Sequence, residues 1–106
     1  MALKAAFIFV APDVDAKKHH AVIDTPSITL TVVGVSTYDA AVEVAKELVA
    51  AGNVALELCG GFGIEGVAAV KAAVNGKAVV GVVRFDQHPG FGFKSGDEIF
   101  QAHTQV

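Results

Sequence analysis

The residues of this sequence best suited to chemistry lie in two short segments. One is Cys59-Gly60-Gly61-Phe62-Gly63, near the middle of the chain, and the other runs from Arg84 through Asp86 to His88. Thiol, imidazole and carboxylate groups transfer protons or attack carbon, and a guanidinium binds carboxylates through paired N–H groups. We therefore take Cys59, Asp86 and His88 as candidate catalytic residues and Arg84 as a candidate ligand-binding residue.

The glycine-rich turn precedes an apolar stretch with helical spacing. Its backbone N–H groups and the positive end of the helix dipole suit an anion, so phosphate- or carboxylate-binding residues are predicted here: Gly60, Gly61, Phe62 and Gly63. The alternative is a tight turn that lets a helix pack closely on a strand. The turn lacks both the spacing of the dinucleotide fingerprint and the lysine of a P-loop.

Cys59 begins this turn, where a thiol could act as a nucleophile or a proton-transfer group; the alternative is a small buried hydrophobe. Asp86 and His88 are two residues apart, so in an extended segment the carboxylate would orient the imidazole. With His19 and His20 they could instead bind a metal. Their spacing matches no zinc motif, and we predict no metal and no cofactor.

Glu57 is the acidic residue of an otherwise apolar run. If the two strands that carry Glu57 and Arg84 are neighbours with level ends, the two side chains lie side by side. A carboxylate inside a covered strand needs a partner, so Glu57 is expected to support Arg84. Such a pair either fixes the strand register or holds the arginine ready for a ligand carboxylate.

Hydrophobic spacing indicates the elements that must position these residues. Apolar runs rich in β-formers predict strands at residues 5–10, 29–35, 54–58 and 78–85. Helices are predicted over residues 13–23, 37–51 and 64–74. The tail from Asp97 to His103 is a candidate fifth strand.

Alternating strands and helices predict a single α/β domain over residues 1–106. We expect a three-layer domain with a four- or five-stranded, mostly parallel sheet and the flavodoxin-like order 2-1-3-4. Thr29 and Thr31 place the second strand at an edge. The strand order reverses between the first and third strands, so Asp13, just after the first strand, joins the ligand-binding candidates.

Composition restricts the possible partners. The chain is 53% hydrophobic and 18% charged, with a net charge of −3, no tryptophan and one cysteine. It lacks the basic, aromatic footprint of a nucleic-acid binder, and its apolar runs are too short to span a membrane. A lone cysteine fits the cytoplasm, and the surplus of apolar residues predicts a homo-oligomer.

Four segments together resemble an uncharacterised family of small prokaryotic proteins known as a domain of unknown function. They are residues 4–9 (Lys-Ala-Ala-Phe-Ile-Phe), 57–63 (Glu-Leu-Cys-Gly-Gly-Phe-Gly), 82–86 (Val-Val-Arg-Phe-Asp) and 94–100 (Lys-Ser-Gly-Asp-Glu-Ile-Phe). The resemblance spans nearly the whole chain and implies no particular activity.

Three functions remain open from the sequence. The favoured one is a domain that binds a small anion or carboxylate on the glycine turn, with Arg84 as the counter-charge. The second is a small cysteine- or histidine-dependent enzyme that performs proton transfer, isomerisation or lyase chemistry on a small carboxylate. The third is a structural subunit of a homo-oligomer whose interface is formed by the pair of Glu57 and Arg84 and by Phe62, Phe85, Phe91 and Phe93.

Overall fold

A computed structural model describes residues 2–101 of the chain. Its elements, in chain order, are β1 Leu3–Val10, β2 His20–Asp24, β3 Ile28–Val35, α1 Tyr38–Ala50, β4 Ala55–Leu58, α2 Ile64–Val74 and β5 Val79–Val82. Two 3-10 turns follow, at Pro89–Phe91 and Gly96–Glu98. No helix among the residues described is long and apolar enough to cross a membrane.

The five strands form one sheet in the order β2-β3-β1-β4-β5. All neighbouring pairs are parallel except β2 with β3, which is antiparallel. The α/β class and the mostly parallel sheet are therefore confirmed, and the four strands predicted from sequence have the expected mutual order. The last of them ends at Val82 rather than at Phe85.

The first predicted helix is wrong, because residues 20–24 form β2. Val22 and Ile23 are β-branched, a type that favours strands, and the chain reverses directly after them. The Thr25 hydroxyl donates to the Ile28 carbonyl at 2.8 Å and accepts from its amide at 3.0 Å, which closes a hairpin between β2 and β3. As a consequence β3, which was expected at an edge, is an inner strand, and β2 is the edge strand.

The candidate fifth strand in the tail is also absent as far as the chain is described. Residues 96–98 form a 3-10 turn, and residues 99–101 belong to no strand. His103 lies outside the described residues. The fifth strand of the sheet is instead β2.

The domain has two layers rather than three. The connections β3-α1-β4 and β4-α2-β5 both advance toward the β5 edge, and right-handed crossovers in one direction put both helices on one face. The helices accordingly contact each other. The core lies between them and the sheet, with Ala6 and Ile8 from β1 and Leu56 and Leu58 from β4 at its centre. The link between β1 and β3 contains β2 instead of a helix, so it supplies no third layer.

Candidate functional site

The turn after β4 and the loop after β5 lie in direct contact. Gly60 packs so closely on the Phe85 ring that a Cβ at this position would overlap it. A Cβ at Gly61 would lie 3.2 Å from the Phe91 ring. The expected meeting of the glycine turn with residues 84–91 is therefore observed, at the C-terminal edge of the parallel strands.

Cys59 occupies the point where the strand order reverses, between β1 and β4. Its half-buried sulfur accepts the backbone N–H groups of Val10 at 3.5 Å and Gly61 at 3.3 Å. The sulfur thus joins the end of β1 to the glycine turn. Ligands of open parallel sheets bind at this kind of crevice.

The expected pair of Glu57 and Arg84 is not formed. Glu57 is level with Gly81 in the register, three residues before Arg84, and it lies on the sheet face opposite α1 and α2. Arg84 instead donates from Nε and Nη2 to Oδ1 of Asp86, both at 2.7 Å. The two strands do have level ends, with Leu58 opposite Val82, but β5 ends at Val82 instead of Phe85, and Glu57 is therefore opposite Gly81 instead of Arg84.

The Asp86 carboxylate and the His88 ring do not form a hydrogen bond with each other either. Nδ1 of His88 accepts the Gly90 amide at 3.0 Å, so the proton of the neutral ring is on Nε2. The ring stacks on Phe91 with centroids 4.2 Å apart and lies 5.1 Å from Phe85. The segment is not extended as expected, because the chain bends at Asp86 and Gln87 before the 3-10 turn that begins at Pro89.

Asp97, which the sequence does not single out, holds the N-terminus of α2. The N-cap residue of this helix is Gly63, which has no side chain to accept the free N–H groups. The Asp97 carboxylate accepts the Glu65 amide at 3.1 Å and the Gly66 amide at 3.3 Å. An external anion at this helix terminus would have to displace the chain's own carboxylate.

Tyr38 connects this carboxylate to the glycine turn. Its hydroxyl donates to Asp97 at 2.8 Å and accepts the Gly63 amide at 3.0 Å. The ring is buried and stacks on Phe62 with centroids 5.7 Å apart. Burial, together with the Asp97 carboxylate, raises the pKa of Tyr38 above its ordinary value.

Two glycines are required where the C-terminal segment closes on the turn. A Cβ at Gly63 would overlap the Asp97 carboxylate, and one at Gly96 would overlap the Gly61 carbonyl oxygen. The segment is fixed by Ser95, whose hydroxyl accepts the Asp97 amide while Glu98 accepts the amide of Ser95. Close packing, the alternative given above for the glycines, thus accounts for Gly63.

Three amides of the turn also have partners inside the chain. Gly61 donates to the sulfur of Cys59, Phe62 to the Cys59 carbonyl at 3.1 Å and Gly63 to Tyr38.

The signal for Asp97 in the sequence is weak, since the spacing of Ser95 and Glu98 marks only a local cap. Nothing local links it to Tyr38 or Gly63.

The remaining candidates lie apart from this cluster. Asp13 is exposed in the turn after β1 and makes no hydrogen bond or ion pair with residues 2–101. His19, just before β2, accepts the Asp15 amide at 2.9 Å, and His20, the first residue of β2, contacts the Ala16 carbonyl at 3.1 Å. Within the described part of the chain, no three His, Cys, Asp or Glu side chains are placed to hold a metal ion.

Fold and site together define a two-layer α/β domain with a polar and aromatic cluster at the C-terminal edge of its parallel strands. A model of a family of unknown function, DUF6506, matches residues 3–98, and the chain belongs to this family. The matched range includes every residue of the cluster. No curated protein and no solved structure matches the chain.

Proposed function

We propose that this chain binds a small organic carboxylate at the C-terminal edge of the sheet, above Cys59 and beside Arg84. The observation that carries the proposal is the contact of Phe85 with Gly60. It brings the loop with Arg84 and His88 to the crevice between β1 and β4, where the strand order reverses. Parallel sheets place their ligand sites at such a crevice.

Arg84 is the cation that would receive the carboxylate. Asp86 holds it through Nε and Nη2, and the Arg84 side chain is 44% exposed. Nη1 has no partner among residues 2–101, so N–H groups of a pre-oriented guanidinium remain available to a ligand. An exposed ion pair of this kind adds only about 0–1 kcal/mol of stability, so orientation is its main effect.

The aromatic residues favour an organic acid over a bare inorganic anion. Phe85 and Phe91 flank the His88 ring and lie against Gly60 and Gly61. They offer an apolar wall to a ligand whose charged end reaches Arg84. Nε2 of His88, which carries the ring proton, supplies a second donor.

Thermal unfolding in the presence of acetate, succinate and inorganic phosphate tests the proposal. A bound carboxylate at a hundredfold excess over its Kd stabilises the protein by about 2.7 kcal/mol. We expect this stabilisation to be lost in Arg84→Gln and kept in Lys77→Gln, which removes one positive charge at the opposite end of β5. Equal stabilisation of both variants, or none of the wild type, contradicts the proposal.

A second candidate function is a cysteine-dependent enzyme acting on the same class of ligand. The position of the Cys59 sulfur supports it, since two backbone N–H groups point at a half-buried thiol in the crevice. The test is the rate of alkylation by iodoacetamide between pH 6 and about 9. Rapid alkylation at neutral pH that succinate slows favours the enzyme. A rate equal to that of the urea-unfolded chain speaks against it.

We also propose that the chain acts in the cytoplasm as a homo-oligomer, with neither nucleic acid nor membrane as a partner. The single cysteine supports a cytoplasmic location. The net charge of −3 supports the exclusion of nucleic acid and membrane as partners. Exposed apolar side chains on the sheet support self-association.

A further inference from the structure

One face of the sheet carries no helix within residues 2–101, and we call it the open face. Its side chains follow from the strand register. One row across it is Ile23, Leu30, Ala5, Ala55 and Val79, and the next is Ala21, Val32, Phe7, Glu57 and Gly81. Glu57 is the only ionisable residue in these two rows. Ile23 is 54% exposed and Val79 is 71% exposed.

The open face is large enough for a stable protein contact. Five strands about 4.8 Å apart and about six residues long, at about 3.3 Å per residue, cover at most roughly 500 Å². The Val14 side chain covers the part of this face at Gly34. Two such faces in contact remove roughly 1,000 Å² from water, which reaches the size expected of a biological interface. An apolar face of this size matches the largest patch on a typical soluble monomer, and such patches often mark interaction sites.

We propose that the open face packs against the open face of a second copy of this chain. The proposal deepens the self-association proposed above and rests on it. A second copy is the partner that best fits this face. The two central rows of the open face contain one charged residue, so a charged partner would find almost no charges with which to form ion pairs. A twofold contact needs only that the surface complements itself.

The register shows this self-complementarity. β1 is the middle strand, so a twofold axis running along it places β2 over β5 of the second copy and β4 over β3. Ile23 and Val79 belong to the same row, so each covers the other across the axis. The two Glu57 side chains each face a partner's β3 and do not oppose each other. Because a carboxylate without a partner is costly to bury, each Glu57 has to keep contact with water in the dimer.

Substitutions on the two faces of β2 give a matched test by sedimentation equilibrium. Ile23→Lys introduces a charge on the open face, whereas Val22→Lys introduces it on the opposite face of the same strand, at a residue 56% exposed. We expect the wild type at twice 10.9 kDa. Because an unpaired buried ammonium costs several kcal/mol, Ile23→Lys raises the dimer Kd by about tenfold or more, and Val22→Lys leaves it unchanged. Circular dichroism confirms that both variants fold.

The outcomes separate this interface from self-association as such. A wild type that stays at 10.9 kDa at high concentration overturns both. An oligomer that survives Ile23→Lys and Val79→Lys overturns the interface alone. Loss of the oligomer in Val82→Pro but not in Ile23→Lys overturns it as well, and assigns the contact to the edge strand β5.

Discussion

The Tyr38 hydroxyl donates to the Asp97 carboxylate at 2.8 Å, across 59 positions of the sequence. Through this bond the first turns of α1 and α2 share one half-buried acceptor, and the glycine turn joins them by donating from Gly63 to the Tyr38 hydroxyl. Asp97 does at the N-terminus of α2 what a bound anion does at many helix N-termini. The polar cluster next to the proposed ligand site is therefore held together by the chain itself.

Replacement of Asp97 should destabilise the protein. Asp97→Ala leaves two helix amides and the buried Tyr38 hydroxyl without an acceptor, which we expect to lower the free energy of unfolding by about 2 kcal/mol or more. Urea unfolding measures it. Asp13→Ala removes an exposed carboxylate without a partner in residues 2–101 and should stay within about 0.5 kcal/mol of the wild type. Equal effects of the two substitutions contradict the capping role.

Tyr38 should make stability fall at alkaline pH. Its pKa is raised in the folded protein, so above about pH 10 the unfolded chain releases the proton while the folded chain keeps it. The free energy of unfolding then falls as pH rises, by up to about 1.4 kcal/mol per pH unit from this group. At pH values below the ordinary pKa of tyrosine, the contribution of Tyr38 to stability is fully present.

The variant Tyr38→Phe isolates that contribution. We expect it to be less stable at neutral pH by about 1–3 kcal/mol, since Gly63 and Asp97 lose their partner. In this variant the free energy of unfolding should also fall less steeply at alkaline pH, because the titrating phenol is absent. Urea unfolding from neutral pH to about pH 11 gives both quantities. The same slope in the variant and the wild type would show that Tyr38 is not the group responsible.

Two glycine substitutions should differ in their effect on stability. Gly63→Ala places a methyl group against the Asp97 carboxylate and the Ser95 hydroxyl, and overpacking of this kind costs about 1–3 kcal/mol. Gly81→Ala, in β5, meets nothing within 4 Å and should be neutral or slightly stabilising. Thermal unfolding of the two variants compares them. A stable Gly63→Ala protein would show that the C-terminal segment does not close on the turn.

The sequence predicts the parallel part of the fold well, because long apolar runs and caps mark it. Thr37, expected to open α1, does so by accepting the Ala40 amide at 3.0 Å. The region before Pro26 was misassigned, since Ala21, Val22 and Ile23 fit a short strand as well as a helix turn. Only the hairpin with β3 decides between them, and that pairing depends on tertiary structure.

The candidate site was predicted in its location but not in its contacts. The meeting of Gly60 with the loop after β5 follows from the topology of parallel sheets. The partner of Arg84 depends on a register that strand alternation alone does not fix. Asp97 could not be predicted for a similar reason, because its partners in the first turns of α1 and α2 lie 59 and 32 positions away in the sequence.

The proposed carboxylate site is tested most directly by following the backbone amide NMR signals during a titration with succinate. The account predicts shifts confined to the glycine turn and the loop after β5, with the largest at Gly60, Gly61 and Arg84. It also predicts that these shifts vanish in Arg84→Gln and persist in Lys77→Gln. Shifts that cluster elsewhere in the domain, or a spectrum that succinate leaves unchanged, would contradict it.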